Sequence, residues 1–129
     1  MVSFEKLVLD DNTPIYQQIL DFVRRGIVAG AISDGEELPS RRVLSALLGV
    51  NPNTVQRACR LLEEEGLVVS HTGAKSCISV DDARRAEIRR ELREEEVRAA
   101  ARRLKSLGLT VEEAAELLVK YWEGGEKNA

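Results

Sequence analysis

The sequence has few of the residues that build metal centres, disulfide frameworks or hydrolytic sites. It contains two cysteines, Cys59 and Cys77, outside any C-x-x-C motif, and a single histidine, His71. These residues supply neither a zinc ligand set nor a disulfide framework nor a Ser/His/Asp set, and no glycine-rich phosphate loop accompanies them. We therefore expect two free, buried thiols, no metal, no cofactor and no enzymatic activity.

Long apolar runs are missing as well. No run approaches the roughly 20 residues that a membrane-spanning helix needs. The N-terminus, MVSFEKLVLDDNTP, carries acidic residues and lacks the basic and then apolar pattern of a secretory leader. With 43% hydrophobic residues, the chain is nevertheless apolar enough to build a core. These features predict a cytoplasmic protein of one domain, or one domain with an appendage, that has no membrane partner.

The most informative absence is that of acidic residues from one segment of an acidic chain. The net charge is −3, yet residues 38–62 contain no Asp or Glu, whereas they do contain Arg41, Arg42, Arg57 and Arg60. Salt screens charges over about 8–10 Å at physiological ionic strength, so the local sign of a surface matters more than the net charge. This segment is predicted to face a polyanion.

Helix signals surround this segment. A first helix opens at Thr13-Pro14, with proline at its first helical position, and its apolar stripe runs to Ile27. Ser40 caps a second, short helix, which Gly49 ends. The apolar positions of this second helix are Val43, Leu44, Leu47 and Leu48.

A third helix follows after a tight Gly-Val turn. Asn51 is its amide N-cap and Pro52 its first helical residue. Its inward stripe is Val55, Ala58, Cys59 and Leu62, and Asn53, Gln56, Arg57 and Arg60 fall on the opposite face. Two short helices joined in this way, the second with a polar front, form a helix-turn-helix.

A two-stranded wing is predicted next, because the apolar period changes to two residues. The segment LVVSH places Leu67, Val69 and His71 on one face, and CISV places Ile78 and Val80 together. The small residues of TGAKS between them suit a hairpin tip.

Two more helices are predicted after the wing. Asp81 or Asp82 caps a long charged helix that Gly108 ends, and Thr110 with Glu113 forms a capping box at the last helix. Both helices are amphipathic and can bury apolar side chains against a second copy of the chain. The predicted dimerisation residues are Leu92, Leu104, Leu107, Leu118, Tyr121 and Trp122. The alternative is that these helices fold back on the core of the same chain.

The segment ELPSRRVLSALLGVNPNTVQRACRLLEEEGLVVS resembles the DNA-binding domain of the GntR family of bacterial transcription regulators. LPS-x-R, LGV, NTV and LEEEGL occur in the order and at the spacing of that family, and PIYQQILDFVRRGIVAGAI is similar to its first helix. The VNPNTV variant and the short tail of two helices resemble the YtrA-type subfamily. The expected fold is therefore mainly α with a small β-wing: a winged helix-turn-helix domain over residues 1–80 and a helical dimerisation region over residues 81–129.

The resemblance implies a homodimer that binds a palindromic operator in double-stranded DNA, usually as a repressor. It places DNA contacts in the residue pair after LPS, at the start of the third helix and in the wing. With the polar residues beside them, the predicted DNA-binding set is Ser40, Arg41, Arg42, Asn51, Asn53, Thr54, Gln56, Arg57, Thr72, Gly73 and Lys75. Two features depart from the family: Pro52 stands where many relatives have arginine, and the wing tip reads HTGAK where many have G-x-G.

The chemistry of the third helix fits this role. A helix N-terminus presents unpaired backbone N–H groups and a partial positive charge, which suit phosphate. Asn and Arg can contact the edges of adenine and guanine in a bidentate manner, whereas an acidic residue would repel the phosphates. This accounts for the missing acids before Leu62.

Other functions stay open on the sequence alone. A winged-helix adaptor for protein partners is the alternative, although it would not need four arginines without acids. Some relatives carry an aminotransferase-like domain that binds pyridoxal phosphate, for which this chain is too short. A small-molecule effector is unknown and could bind at a dimer interface. For His71, a strand-end residue near DNA is favoured over a metal ligand or pH sensor. For residues 94–96, all glutamate, a solvated helix face is favoured over a cation site.

Overall fold

A computed structural model of the 129-residue chain describes residues 1–71 and 75–124. Within these residues the elements are α1 (Ile15–Ala29), α2 (Arg41–Leu48), α3 (Pro52–Glu64), β1 (Val68–Ser70), β2 (Ser76–Ile78), α4 (Asp82–Ser106) and α5 (Val111–Trp122). The two strands form one antiparallel sheet. The predicted class, mainly helical with a small β-wing, is confirmed.

Local side chains fix the junction between α2 and α3 as the sequence predicts. Ser40 Oγ and Asn51 Oδ1 each accept a hydrogen bond from a backbone N–H in the first turn of their helix, at 3.2 Å and 2.8 Å. Between the helices Gly49 has a φ of 66°, a left-handed conformation that glycine adopts without steric cost. The Ser45 hydroxyl donates to the Val50 carbonyl at 2.6 Å and closes the turn. These contacts fix the orientation of α3 relative to α2.

The core lies where α3 packs against α1 and α2 and where its C-terminal end meets β1. The most deeply buried side chains are all aliphatic and come from α1, α3, the wing and the start of α4: Ile19, Val23, Ile27, Val55, Leu62, Leu67, Ile78 and Ile88. At α1 the structure departs from the prediction by one residue, because Pro14 is the N-cap and not the first helical residue.

The N-terminal arm, residues 1–12, contributes to the same core. Val2 and Phe4 are buried, and the Phe4 ring lies 5.3 Å from the Phe22 ring between centroids. The Val2 N–H donates to the Glu37 carbonyl at 2.8 Å, which ties the arm to the segment that precedes α2.

The apolar stripe predicted for α2 is only partly buried. Leu44 is 2% exposed, whereas Val43 and Leu47 are 47% and 66% exposed. A helix of eight residues presents one narrow face to α3, so positions at the sides of that face stay in solvent. Val43 and Leu47 border a groove with the N-terminal arm.

The wing forms as predicted, but the predicted faces of its first strand are wrong. Val68, which pairs with Ile78, is 3% exposed, whereas Val69 is 43% exposed. Leu67 is buried but lies in the turn before β1, so the period of two residues does not extend back to it. Ile78 and Val80, which the sequence places together, are both buried.

The last two helices begin as the sequence predicts. The Asp81 carboxylate accepts a hydrogen bond from the Arg84 N–H at 2.7 Å, and Thr110 with Glu113 forms the capping box of α5. The described chain divides into two compact units, residues 1–90 and 91–124, and the division falls inside α4. Among the described residues, none of the helices combines the length and apolar content that spanning a bilayer requires.

Candidate DNA-binding surface

Four of the predicted contact residues of α2 and α3 come together on one exposed surface, where Pro52 joins them. Arg41, Arg42, Pro52, Asn53 and Gln56 line a shallow depression of about 470 Å³. Pro52, Asn53 and Gln56 share a face of α3 because residues three and four positions apart are neighbours on a helix. We call these five residues the α2–α3 surface.

Ser40 and Asn51 take part in a different way from the other predicted residues. Their side-chain oxygens already accept backbone N–H groups of α2 and α3, so their first role is to cap these helices. At the start of α3 the backbone donors are already used, because Pro52 has no N–H, the Asn53 N–H donates to Asn51 Oδ1 and the Thr54 N–H donates to the Asn51 carbonyl at 2.9 Å. What suits a phosphate there is the partial positive charge of the helix end. Thr54, in the first turn of α3, is half-buried.

Arg57 is stacked on an aromatic ring of another helix. Its guanidinium carbon lies 3.9 Å from the centre of the Tyr16 ring, in the first turn of α1. Stacking leaves the N–H groups at the edge of the guanidinium able to donate, and it restricts a side chain that otherwise carries about 2 kcal/mol of rotamer entropy. Tyr16 therefore favours one orientation of the exposed Arg57 before any ligand is bound.

Arg41 is held by two side chains of α3. Its Nη1 donates to Gln56 Oε1 at 2.6 Å, and its Nη2 donates to Glu63 Oε1 at 3.1 Å. The same carboxylate oxygen accepts a hydrogen bond from Ser70 Oγ at 2.8 Å, so the network reaches β1. The charge of Arg41 is thus partly neutralised within the protein, although the sequence predicts an arginine that faces DNA.

The Cys59 thiol lies next to this network. Burial raises the pKa of Cys59, and the smaller effect of the neighbouring Arg41 opposes that shift. The thiol is therefore neutral at physiological pH and lacks thiolate reactivity. Cys59 and Cys77 are both free, as predicted, but each is half-buried and not fully buried.

The wing tip contains two predicted contacts, Thr72 and Gly73, that lie outside the described residues. Beside them, the His71 N–H donates to the Lys75 carbonyl at 2.8 Å. Lys75 Nζ lies 3.4 Å from the Glu37 carboxylate, and its side chain is 76% exposed. An exposed ion pair of this kind contributes about 0–1 kcal/mol, so a DNA phosphate can replace Glu37 at little cost.

Most of the predicted dimerisation residues lie around a groove between the end of α4 and α5. The groove has a volume of about 250 Å³ and is lined by Leu104, Ala114, Leu117, Leu118, Tyr121 and Trp122. Trp122 and the nearby Leu107 are 79% and 76% exposed. Leu92 differs, because it is 7% exposed within the single chain and offers little surface to a second copy.

Two residues that contact the predicted DNA-binding arginines were not themselves predicted from the sequence: Tyr16, which lies against Arg57, and Glu63, which binds Arg41. Glu63 and Gln56 are seven positions apart and therefore share a face of α3, which is a signal that the sequence contains. The stacking of Tyr16 on Arg57 has no comparable signal, because it depends on how α1 packs against α3.

The sequence is similar to those of known transcriptional regulators. The family described as bacterial regulatory proteins, gntR family, matches residues 15–76. The chain is 34% identical over 114 residues to the uncharacterized HTH-type transcriptional regulator YhcF of Bacillus subtilis (strain 168). The aligned region covers 88% of this chain and 94% of YhcF. It is 38% identical over 68 residues to the HTH-type transcriptional repressor YtrA of the same organism, over 53% of this chain and 52% of that protein.

A solved structure is similar over most of its length. YtrA from Sulfolobus acidocaldarius, a GntR-family transcription factor, is 35% identical and superposes with a TM-score of 0.57. The superposition covers 77% of this chain and 99% of that one. The likeness to YhcF and to this structure therefore extends beyond residues 15–76.

Proposed function

The chain belongs to the GntR family of bacterial regulatory proteins, with similarity to YtrA-type members, and from this premise we propose that it is a homodimeric repressor that binds a palindromic operator through α3 and the wing. Membership makes it a transcriptional regulator with a DNA-binding winged helix and not an enzyme. The dimer, the symmetry of the operator, repression and a cytoplasmic location are the proposed parts.

The observation that carries the proposal is the composition of the α2–α3 surface. A helix that enters the major groove by its N-terminal end brings the side chains of its first turns to the base edges. In α3 those turns present Asn53 and Gln56, with Arg42 beside them on this surface. The exposed Arg57 follows in the second turn. The side-chain chemistry is that of base readout and phosphate contact, because amide and guanidinium groups can pair with adenine and guanine.

The exposed apolar residues at the end of α4 and on α5 support the dimer. A palindrome presents two half-sites about 34 Å apart, one helical turn of DNA, so a protein with one recognition helix per chain reads it as a pair. Large exposed apolar patches on a soluble protein mark interaction surfaces, and the α4–α5 groove is such a patch. A second copy of the same groove is the proposed occupant.

Repression follows if the operator overlaps a promoter, because a bound dimer then excludes the polymerase. The Bacillus subtilis relative named as a repressor supports this direction of control.

Selection of bound fragments from a random DNA library tests the proposal. The expected result is one enriched sequence with two inverted half-sites whose centres lie about one helical turn apart. Enrichment of a single unrepeated site would contradict the dimer, and no enrichment at physiological salt would favour the protein-binding adaptor.

Loss of the ring under Arg57 should weaken operator binding. We expect the substitution Tyr16→Leu to lower affinity about two- to five-fold, since an exposed cation–π contact contributes about 0.5–1 kcal/mol. Tyr16→Phe keeps the ring and should bind like the parent, which separates stacking from any contact of the hydroxyl with DNA. Titration of a labelled operator measures both. Equal losses in the two variants would show that the hydroxyl matters and not the stack.

A further inference from the structure

Gln56 is oriented by Arg41, and this contact restricts which bases Gln56 can read. We propose that Arg41 binds the Gln56 carbonyl oxygen and leaves the Gln56 NH₂ group to contact DNA, so that the pair selects guanine or thymine over adenine at one position of each half-site. Arg41 is then a positioning residue that determines base specificity through Gln56. This inference rests on the proposed DNA-binding function.

The first step concerns which end of the Gln56 amide faces Arg41. A guanidinium has donors and no acceptor, so the atom that lies 2.6 Å from Arg41 Nη1 must be the carbonyl oxygen. The amide NH₂ group of Gln56 is therefore the end left to contact a ligand. Gln56 is exposed, one helical turn after Asn53 on the face of α3 that lines the α2–α3 surface.

The second step is that Arg41 makes this contact as part of a wider hydrogen-bond network. Arg41 Nη2 is anchored on Glu63 at 3.1 Å, and the same Glu63 oxygen accepts the Ser70 hydroxyl at 2.8 Å. Arg41 is thus held from two sides, and a charge-assisted hydrogen bond is about twice as strong as a neutral one. Rotation of the Gln56 amide would break the contact with Arg41 and place two donor groups against each other.

The third step compares this pair with the edges of the bases. To read adenine, a glutamine donates to N7 and accepts from N6–H₂. Gln56 Oε1 keeps a second lone pair, but the N6–H₂ donor of adenine would approach an oxygen that is already bound to a cation, so this contact is weakened and adenine is disfavoured. Guanine presents N7 and O6, and thymine presents O4, all of which are acceptors. The NH₂ group of Gln56, with a positive charge behind it, suits these bases.

The test is a comparison of selected DNA sites for the parent and three full-length variants. Gln56→Ala identifies the operator position that residue 56 reads, as the position where base preference is lost. Arg41→Met should make adenine acceptable at that same position, with the preference for guanine or thymine over adenine falling by about 5- to 150-fold, the usual range for one good base contact. Arg41→Lys keeps a donor beside Gln56 and should preserve the parent's preference against adenine.

The outcomes separate this inference from the proposed function. If the parent selects no sequence, the proposed function fails. If the parent selects an operator and Arg41→Met binds it more weakly on all sequences, with the slope of log K against log salt reduced by about one and the base preference unchanged, Arg41 is a phosphate contact and the inference is overturned. A parent that prefers adenine at the Gln56 position would also overturn it. Arg41 is exposed, so Arg41→Met should stay folded, which a thermal melt checks.

Discussion

Arg42→Ala and Asn53→Ala are each expected to weaken operator binding by about 1–3 kcal/mol, or roughly 5- to 150-fold, because each removes a side chain that can contact a base edge. Both residues are exposed on the α2–α3 surface, so neither substitution removes packing from the core. Titration of the selected operator against each variant measures the loss.

Lys105→Ala provides the matched control, because it removes an exposed cation from the second compact unit. It should change affinity far less than Arg42→Ala does. The salt dependence of binding then distinguishes the roles of Arg42 and Asn53. Removal of a phosphate contact lowers the slope of log K against log salt by about one, whereas removal of a neutral base contact leaves the slope unchanged. Operator affinity equal to the parent's in both Arg42→Ala and Asn53→Ala would contradict the assignment of this surface.

Helix ends were the part of the fold most fully predictable from the sequence. Ser40, Asn51 and Thr110 each satisfy a backbone N–H within three residues, and the structure shows all three as caps. Such contacts are local, so they depend on residue order and not on the rest of the fold. The position of the helix-turn-helix follows from the caps at Ser40 and Asn51.

Burial was less predictable where elements are short. Val69 was placed on one strand face with Leu67, yet it is 43% exposed whereas Leu67 is buried. Val43 was one of the apolar positions of α2 and is 47% exposed. A strand of three residues or a helix of two turns carries too few residues for a periodicity to show which side faces the core. Leu92 was expected to face a second copy but is buried within its own chain. A pattern of apolar residues does not distinguish an internal partner from an external one.

The chemistry of the candidate site was predictable as a set of residues but not as a set of contacts. Arg41, Gln56 and Arg57 were identified, whereas their partners Glu63 and Tyr16 were not. Each of these pairs joins different elements, Arg41 with α3 and Arg57 with α1, so the geometry depends on tertiary packing. This difference matters for function, because the partners restrict what each predicted residue can do.

The C-terminal helices yield the prediction with the largest expected effect. Leu118→Asp and Trp122→Asp should convert the protein to a monomer and lower its affinity for the full palindrome by about 10²- to 10⁴-fold, which is the usual gain from linking two binding sites. Both side chains line the α4–α5 groove and remain 47% and 79% exposed in the single chain, so they have surface left to bury. An unpaired charge in an apolar interface costs several kcal/mol.

Two controls keep the test specific for the interface. Glu116→Asp introduces the same residue into α5 at an exposed position without changing the charge, and it should remain a dimer. The winged helix-turn-helix lies in the other compact unit, so Leu118→Asp should bind a single half-site as weakly as the parent does. Sedimentation analysis and titration of full and half operators measure these quantities on the same samples. A Leu118→Asp protein that is still a dimer, or a monomer that binds the full palindrome as tightly as the parent, would exclude the α4–α5 groove as the surface that pairs two recognition helices.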